Sequence, residues 1–273
     1  TPFMQHAYLS AMEDTGAASP ETGWTLRLLC IRKQENGQAG PLVAAAVLYL
    51  KAHSYGEYVF DWAWADAYQR HGLRYYPKAI CASPFTPVPG TRLLSVDLQS
   101  KRALISALEQ QAQENGWSSL HLLFLSQDDL AACQQAEWLS RHTVQFHWQN
   151  QGYESFDQFL TQFSQEKRKK IRQERKKVAS AGVHFETLEG TQISSSDWDF
   201  FYQCYAQTYF EHGNAPYLSR QFFQRMQDTM AEHWLLFIAV KDGRRIASSL
   251  IGIDRQVAYG RYWGALERVD CLH

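Results

Sequence analysis

The sequence predicts an α/β (α+β) fold in which mixed sheets are flanked by helices. Short apolar segments with strand character alternate with longer segments whose apolar residues recur at helical spacing. The chain has 273 residues, enough for one large domain or two ordinary ones. Its hydrophobic content of 45% and its many aromatic residues exclude a disordered chain.

The first half of the chain alternates between strand and helix signals. Residues 43–49 form an apolar run typical of a buried strand, and residues 100–115 have helical spacing that stops at Asn115-Gly116. We predict, in order, strands at 24–31, 41–49 and 53–64, a helix at 65–71, a strand at 78–82, a helix at 100–115, a strand at 120–125, a helix at 128–138 and a strand at 143–148.

The second half is organised around a basic segment, Ser164–Gly182. Eight of the eleven residues from Lys167 to Lys177 are Lys or Arg, although the net charge of the whole chain is −1. Opposite charges four residues apart, such as Glu166 and Lys170, favour a helix here. We predict that this helix is followed by a strand at 183–188, helices at 198–209 and 219–230, and strands at 234–240, 246–253 and 257–263.

The last three predicted strands resemble the first three. The third strands match most closely, with Tyr55-Gly-Glu-Tyr58 against Tyr259-Gly-Arg-Tyr262. This self-similarity predicts two domains, 1–150 and 151–273, unless the match arises by chance from common Tyr and Gly residues. As a second copy, 151–273 would lack its C-terminal part, so we expect that the chain is a fragment.

Composition excludes several other classes of protein. No apolar run approaches the roughly 20 residues that cross a bilayer, and the N-terminus has no basic-then-apolar signal segment. The five cysteines have wide, irregular spacing with no Cys-x-x-Cys or Cys/His cluster, so we expect free thiols and no metal site. We therefore predict a cytoplasmic location.

Two groups of motifs resemble a known family. Ser164–Gly182, followed by Val183-His-Phe-Glu, resembles the entry to the second domain of the Fem-type peptidoglycan aminoacyltransferases. Residues 53–64, 74–78, 84–87 and 260–264 are similar to a bacterial Fem-like branch of the GNAT acyltransferase superfamily. The resemblance covers nearly the whole chain. It implies tandem GNAT-like domains, with the active site in a cleft between or beside them.

The resemblance also implies a place for acyl-CoA. GNAT folds bind the CoA pyrophosphate at backbone N–H groups where a helix begins. In the first half that position is Pro89–Arg92, where Gly90 and Thr91 would offer backbone donors and Arg92 would bind a phosphate. The usual Arg/Gln-x-x-Gly-x-Gly/Ala signature is absent, so an ordinary Pro/Gly loop is the alternative.

Acyl transfer to an amine needs a base, and Glu57 and Asp61 are the best acidic candidates. In a strand over 53–64 they would share one face about 13 Å apart and could not share a proton. One would act as base while the other binds a cationic substrate. The alternative is that both are solvated or salt-bridged strand residues.

Aromatic and basic residues supply candidate substrate contacts. Tyr58 and Trp62 share the other face of the predicted strand 53–64, and in the second half Arg261 takes the place of Glu57 with Trp263 on its face. An Arg between aromatic rings binds a carboxylate or phosphate, or makes a structural cation–π contact.

The basic helix has three interpretations. It is a solvated helix, a contact for RNA or another anion, or a membrane-surface patch, although the broad apolar face of such a patch is missing. The RNA contact would serve a Fem-like enzyme that takes its amino acid from tRNA.

We therefore hypothesise an N-acyltransferase that moves an acyl or aminoacyl group from acyl-CoA or aminoacyl-tRNA to an amine acceptor by direct attack. The alternatives are a non-catalytic GNAT-like binding protein and an RNA-binding protein that uses the basic helix.

Overall fold

The computed structural model describes residues 1–272 and contains two β-sheets with helices packed against them. The described chain forms two compact units. Unit 1 comprises Thr1–Ser140 and Tyr217–Met230, and unit 2 comprises Arg141–Pro216 and the residues after Met230. The predicted α/β class is confirmed. That 1–150 and 151–273 are two copies of one domain stays a prediction.

Helices and strands are interspersed along the whole chain. Up to residue 140 they are α1 (His6–Asp14), β1 (Trp24–Glu35), β2 (Gln38–Lys51), α2 (Trp62–Arg70), β3 (Lys78–Cys81), β4 (Leu94–Ser95), α3 (Leu98–Glu114), β5 (Leu120–Leu122) and α4 (Gln127–Gln135). After it come α5 (Phe156–Leu160), α6 (Gln165–Ser180), β6 (Val183–Glu189), α7 (Ser195–Glu211), α8 (Arg220–Thr229), β7 (Trp234–Lys241), β8 (Arg244–Ile253) and β9 (Ala258–Ala265).

The sheet of unit 1 is mixed. Its strand order is β1-β2-β3-β5, with antiparallel pairing except between β3 and β5, and β4 pairs with β2. Alternate residues of β2, such as Ala46 and Leu48, face a core that includes Leu104 and Leu108 of α3. The helical spacing that predicts α3 is thus the stripe that packs on this sheet.

The sheet of unit 2 is antiparallel, in the order β6-β7-β8-β9. Helix α7 packs on it, and Thr208 Oγ1 donates a hydrogen bond to the carbonyl oxygen of Trp263 at 3.0 Å. A Cβ atom at Gly264 would lie 1.9 Å from the carbonyl oxygen of Cys204, so β9 approaches α7 this closely because residue 264 is glycine.

The strand predicted at 53–64 is wrong. Residues 52–61 form an irregular loop, and α2 begins at Trp62. Gly56 has φ +80° and Tyr58 has φ +58°, which are left-handed conformations that end any strand. The motif Tyr259–Tyr262 does lie in strand β9. The two most similar motifs of the two halves therefore have different structures, a turn at 55–58 and a strand at 259–262.

The strand predicted at 143–148 is also wrong, because these residues have no regular structure and are exposed. Val144 and Phe146 stand at alternate positions in this segment, and both lie at the surface instead of facing a core. A local apolar alternation therefore does not identify a strand when no neighbouring strand pairs with it.

One buried carboxylate ties the loop before β4 to helix α4. Asp129 Oδ2 accepts hydrogen bonds from the backbone N–H groups of Arg92 at 2.6 Å and Leu93 at 3.1 Å. Its Oδ1 accepts one from Lys101 Nζ of α3 at 2.5 Å. The Asp129 side chain is fully buried, so these donors replace the water that it loses.

We expect Asp129→Ala to lower the free energy of unfolding by about 3–5 kcal/mol, because it leaves a lysine and two backbone donors without their acceptor. Urea denaturation measures the loss. Asp128→Ala is the matched control, since Asp128 is the exposed neighbour in the same helix turn. Equal stability of the two variants would contradict this role for Asp129.

Candidate functional site

A buried ionic cluster lies where the loop 52–61 covers the start of β3. Lys78 Nζ donates hydrogen bonds to Glu57 Oε2 at 2.7 Å, to Ser54 Oγ at 2.8 Å and to Asp61 Oδ2. The three charged side chains are 0–2% exposed. All three N–H groups of the ammonium therefore have acceptors, as burial of a charge requires.

Local backbone geometry brings the two carboxylates together. The left-handed Gly56 turns the chain so that Glu57 faces inward, and a Cβ atom at this glycine would lie 2.5 Å from the ring of Phe85. Asp61 occupies the N-cap position of α2, yet its side chain caps no helix N–H. It accepts hydrogen bonds from Lys78 and, at 2.7 Å, from Tyr75 Oη instead.

The separation of about 13 Å expected for Glu57 and Asp61 along a strand is wrong, because both contact one ammonium. Glu57 and Asp61 were chosen from the sequence as acidic candidates, but the sequence did not reveal that both bind Lys78. Lys78 follows Asp61 by 17 residues, and no local pattern joins them. The only signal was the presence of a lysine at the start of a predicted apolar strand, where it must be buried.

The cluster contains a second buried lysine, Lys51, at the end of β2. Its Nζ lies 3.6 Å from the centroid of the Trp24 ring and donates a hydrogen bond to the carbonyl oxygen of Tyr55 at 3.2 Å. Burial lowers the pKa of Lys51 to about 7, although the negative charge of Glu57 opposes the shift.

The two carboxylates have different electrostatic environments. Burial raises the pKa of Glu57, and the positive charge of Lys78 only partly opposes it. Burial also acts on Asp61, but hydrogen bonds from Lys78 and Tyr75 outweigh it and lower the pKa of Asp61. Two acids whose pKa values are moved apart by their surroundings are suited to different roles in acid–base chemistry.

Each carboxylate keeps one oxygen unused. Glu57 Oε1 and Asp61 Oδ1 are buried and accept no hydrogen bond from residues 1–272. An ionised carboxylate can accept several hydrogen bonds, so these oxygens retain capacity for a donor such as an ammonium. The arrangement therefore combines a held cation with two buried acceptor oxygens that have no donor among residues 1–272.

The loop predicted to bind a phosphate has a structural role instead. The guanidinium of Arg92 is 1% exposed and donates to the backbone carbonyls of Val88 at 2.7 Å and Leu123 at 3.0 Å. The Gly90 N–H donates to the carbonyl of Phe124 at 2.9 Å. Thr91 lies between these two residues, and α3 begins only at Leu98. The expectation that Arg92 binds a phosphate of acyl-CoA is therefore not supported by this geometry.

The predicted substrate contacts of the first half lie on the outer side of the loop. Tyr58 and Trp62 are exposed, and the Trp62 ring packs against Tyr55 with centroids 5.0 Å apart. Phe60 between them is 83% exposed. Since Glu57 and Asp61 are anchored inside, the intervening aromatic residues stand outward. Their role in substrate binding stays a prediction.

The predicted contacts of the second half lie on β9 in unit 2. The Arg261 guanidinium is 5.0 Å from the centroid of the Tyr262 ring, which is cation–π geometry. Trp263 is partly buried and packs on the cluster around Val178 and Ala247. A role of Arg261 and Trp263 in binding substrate stays a prediction.

Helix α6 confirms the predicted basic helix and shows how its charges are distributed. Arg172 pairs with Asp157 at 3.1 Å and Lys177 with Asp270 at 3.0 Å, and Arg175 lies over the ring of Phe156. One face of the helix carries a shallow groove of about 460 Å³. The groove is lined by Gln165, Arg168, Lys169, Arg172, Gln173 and Lys176.

We expect Lys78→Met to destabilise the protein by about 3–5 kcal/mol at neutral pH, because it leaves two buried carboxylates without their cation. Chemical denaturation measures this loss. Part of the stability should return at lower pH, where Glu57 protonates first. Lys33→Met, on the exposed side of β1, is the control. A Lys78→Met protein as stable as this control would show that the cluster contributes no net free energy.

Two further features bear on what the site can be. In residues 1–272, no three His, Cys, Asp or Glu side chains are grouped to hold a metal ion. Over the same residues, no helix has the length and apolar character needed to span a membrane.

Comparison with known proteins supplies the family. No curated protein sequence matches the chain. A similar solved structure is the C-terminal DUF2156 domain of an Agrobacterium fabrum protein assigned as a lysylphosphatidylglycerol synthetase, with 12% identity and a TM-score of 0.46 over 96% of this chain and 71% of that one. A FemAB-like family model, described as peptidoglycan biosynthesis/recognition, matches residues 1–273. The chain belongs to this FemAB-like family.

Proposed function

We propose that this protein is an N-acyltransferase that transfers an acyl or aminoacyl group to an amine acceptor, with Glu57 as the base. Membership of a peptidoglycan biosynthesis/recognition family supports an acceptor from that chemistry. The observation that carries the proposal is the pair of buried carboxylates around Lys78, each with one oxygen that accepts no hydrogen bond within the described chain.

The two carboxylates divide the work. Asp61, whose pKa is lowered, stays ionised and holds the acceptor ammonium. Glu57, whose pKa is raised by burial, is a stronger base than an ordinary glutamate and removes a proton from that ammonium. The free amine attacks the donor carbonyl, an amide C–N bond forms, and the thioester or ester bond of the donor breaks. The leaving thiolate or alkoxide takes this proton from Glu57. Glu57 is then ionised again, accepts the second proton that the acylated nitrogen loses, and releases it to water.

The loop 52–61 controls access to these oxygens. It covers both carboxylates and has no helix or strand of its own, so it is the segment that moves when an acceptor enters. Tyr58 on this loop and Trp62 at the start of α2 are exposed and would contact the acceptor as the loop closes. Binding energy from these aromatic contacts would then stabilise the closed arrangement.

The donor is acyl-CoA or aminoacyl-tRNA, and the charge on α6 favours the polyanionic tRNA. Lys169 and Lys176 are exposed on the grooved face, where Arg168 and Arg172 add positive charge. Cations presented on one face of a helix suit the regular spacing of phosphates along RNA. This interaction would bind the tRNA through its backbone, without a base-specific contact.

We expect Glu57→Gln to lower the rate of transfer by about 10²–10⁴-fold, because the amide cannot accept the ammonium proton. Asp61→Asn should instead mainly raise the KM for the acceptor. Transfer of labelled acyl groups from acetyl-CoA and from aminoacyl-tRNA to a peptidoglycan precursor peptide measures both effects. Asp66→Asn, an exposed change on α2, is the control. Wild-type rates in Glu57→Gln would exclude Glu57 as the base.

We expect tRNA binding to depend steeply on salt. Replacing Lys169 and Lys176 together by Ala should reduce the slope of log K against log salt by about 2, since each lysine neutralises one phosphate. Fluorescence anisotropy with labelled tRNA at several salt concentrations measures the slope. Lys177→Ala removes a charge already paired with Asp270 and should change it less. A flat salt response of the wild-type protein would rule out an RNA donor bound through α6.

A further inference from the structure

Lys51 is poorly compensated as a cation. It is fully buried at the end of β2, and its ammonium has one hydrogen-bond acceptor among residues 1–272, the carbonyl oxygen of Tyr55. The face of Trp24 supplies a cation–π contact as the second interaction. Lys78 in the same cluster has three acceptors, two of them charged. The two lysines therefore differ in how well the protein stabilises their charge.

Charged groups act on Lys51 from each neighbouring segment. Glu57 in the loop attracts its proton, whereas Lys78 on β3 disfavours its charge. His53 lies in the same loop, and its pKa is lowered by burial and then by the charge of Lys51. Asp61 stays bound to Lys78 and Tyr75. Lys51 faces Lys78 in the register of β2 and β3, and Lys78 binds Glu57 at 2.7 Å. Lys51 and Glu57 therefore belong to one buried cluster in which a change of charge on one alters the other.

We propose that Lys51 is a positioning residue that sets the strength of Glu57 as a base, an inference that rests on the proposed transfer reaction. While Lys51 is protonated, its charge stabilises the Glu57 carboxylate and repels an incoming acceptor ammonium. When Lys51 loses its proton, the Glu57 carboxylate becomes more basic and the site carries more negative charge. Cationic amines then bind and lose a proton more readily. Lys51 therefore determines the lower pH limit of transfer.

The charge of Lys51 can be measured without any substrate. A lysine with a pKa of about 7 in the folded protein and its ordinary 10.5 when unfolded binds fewer protons in the folded state between these values. The free energy of unfolding should therefore rise with pH from about 7 upward, with a slope that approaches a difference of one bound proton between the unfolded and folded states. Urea denaturation between pH 7 and 9 measures this slope.

We expect Lys51→Met to remove the rise in stability and Lys33→Met, an exposed lysine of the same unit, to leave it intact. Methionine keeps a similar length and still packs on Trp24, so this variant should fold. An unchanged slope in Lys51→Met would overturn the assignment, because the titrating group would then lie elsewhere.

The role in transfer is tested by pH profiles of the wild type, Lys51→Met and Lys51→Arg, with acetyl-CoA and aminoacyl-tRNA as donors. The wild-type rate should fall about tenfold per pH unit below 7. Lys51→Met, which is permanently neutral, should move this fall to a different pH, set by protonation of Glu57 alone. Lys51→Arg, which is permanently charged, should keep the low rate above pH 7.

The outcomes separate the two proposals. Wild-type transfer with an unchanged low-pH limb in Lys51→Met would overturn the role of Lys51 alone. Wild-type rates in Glu57→Gln, or no transfer by the wild-type protein, would overturn the proposed function and the role of Lys51 with it.

Discussion

The ammonium of Lys78, bound by two carboxylates and one hydroxyl, is the interaction on which the site depends. Removing an ion from water costs several kcal/mol, and the cost is recovered only when good geometry and hydrogen bonds satisfy the ion. The loop 52–61, the start of α2 and the start of β3 must therefore form together. Because Glu57 and Asp61 are anchored inward, the aromatic residues between them project outward. The binding of Lys78 therefore determines which side chains of the loop are buried and which are exposed.

The cluster holds two acids and two lysines that are far from equivalent. Asp61 contacts Lys78 and its pKa is lowered, whereas burial moves the pKa of Glu57 upward and that of Lys51 downward. Burial of an ion pair is weak evidence for stability but is characteristic of sites that handle protons. For the transfer proposed for this FemAB-like protein, such a site supplies a side chain that takes the proton of an acceptor amine.

The positive charge of α6 has two parts. Several of its basic residues are used within unit 2, in pairs with Asp157 and Asp270 and in contact with Phe156. The grooved face retains charge that is directed to solvent. The two parts overlap at Arg172, which pairs with Asp157 and also lines the groove, whereas Lys169 and Lys176 of the groove are exposed.

The sequence by itself determined the α/β class and the helices α3 and α6, because periodicity, capping residues and residue type are local properties. It also singled out Glu57 and Asp61 as candidates, whose catalytic role stays a prediction. It did not determine the loop at 52–61, where alternating aromatic and acidic residues imitate strand periodicity. In the structure these acids face inward because they bind Lys78, which lies 17 residues beyond Asp61. The burial of Arg92 against the carbonyls of Val88 and Leu123 was equally invisible. Only the tertiary structure decides such contacts, because the energy of a buried charge depends on partners that folding brings together from distant parts of the chain.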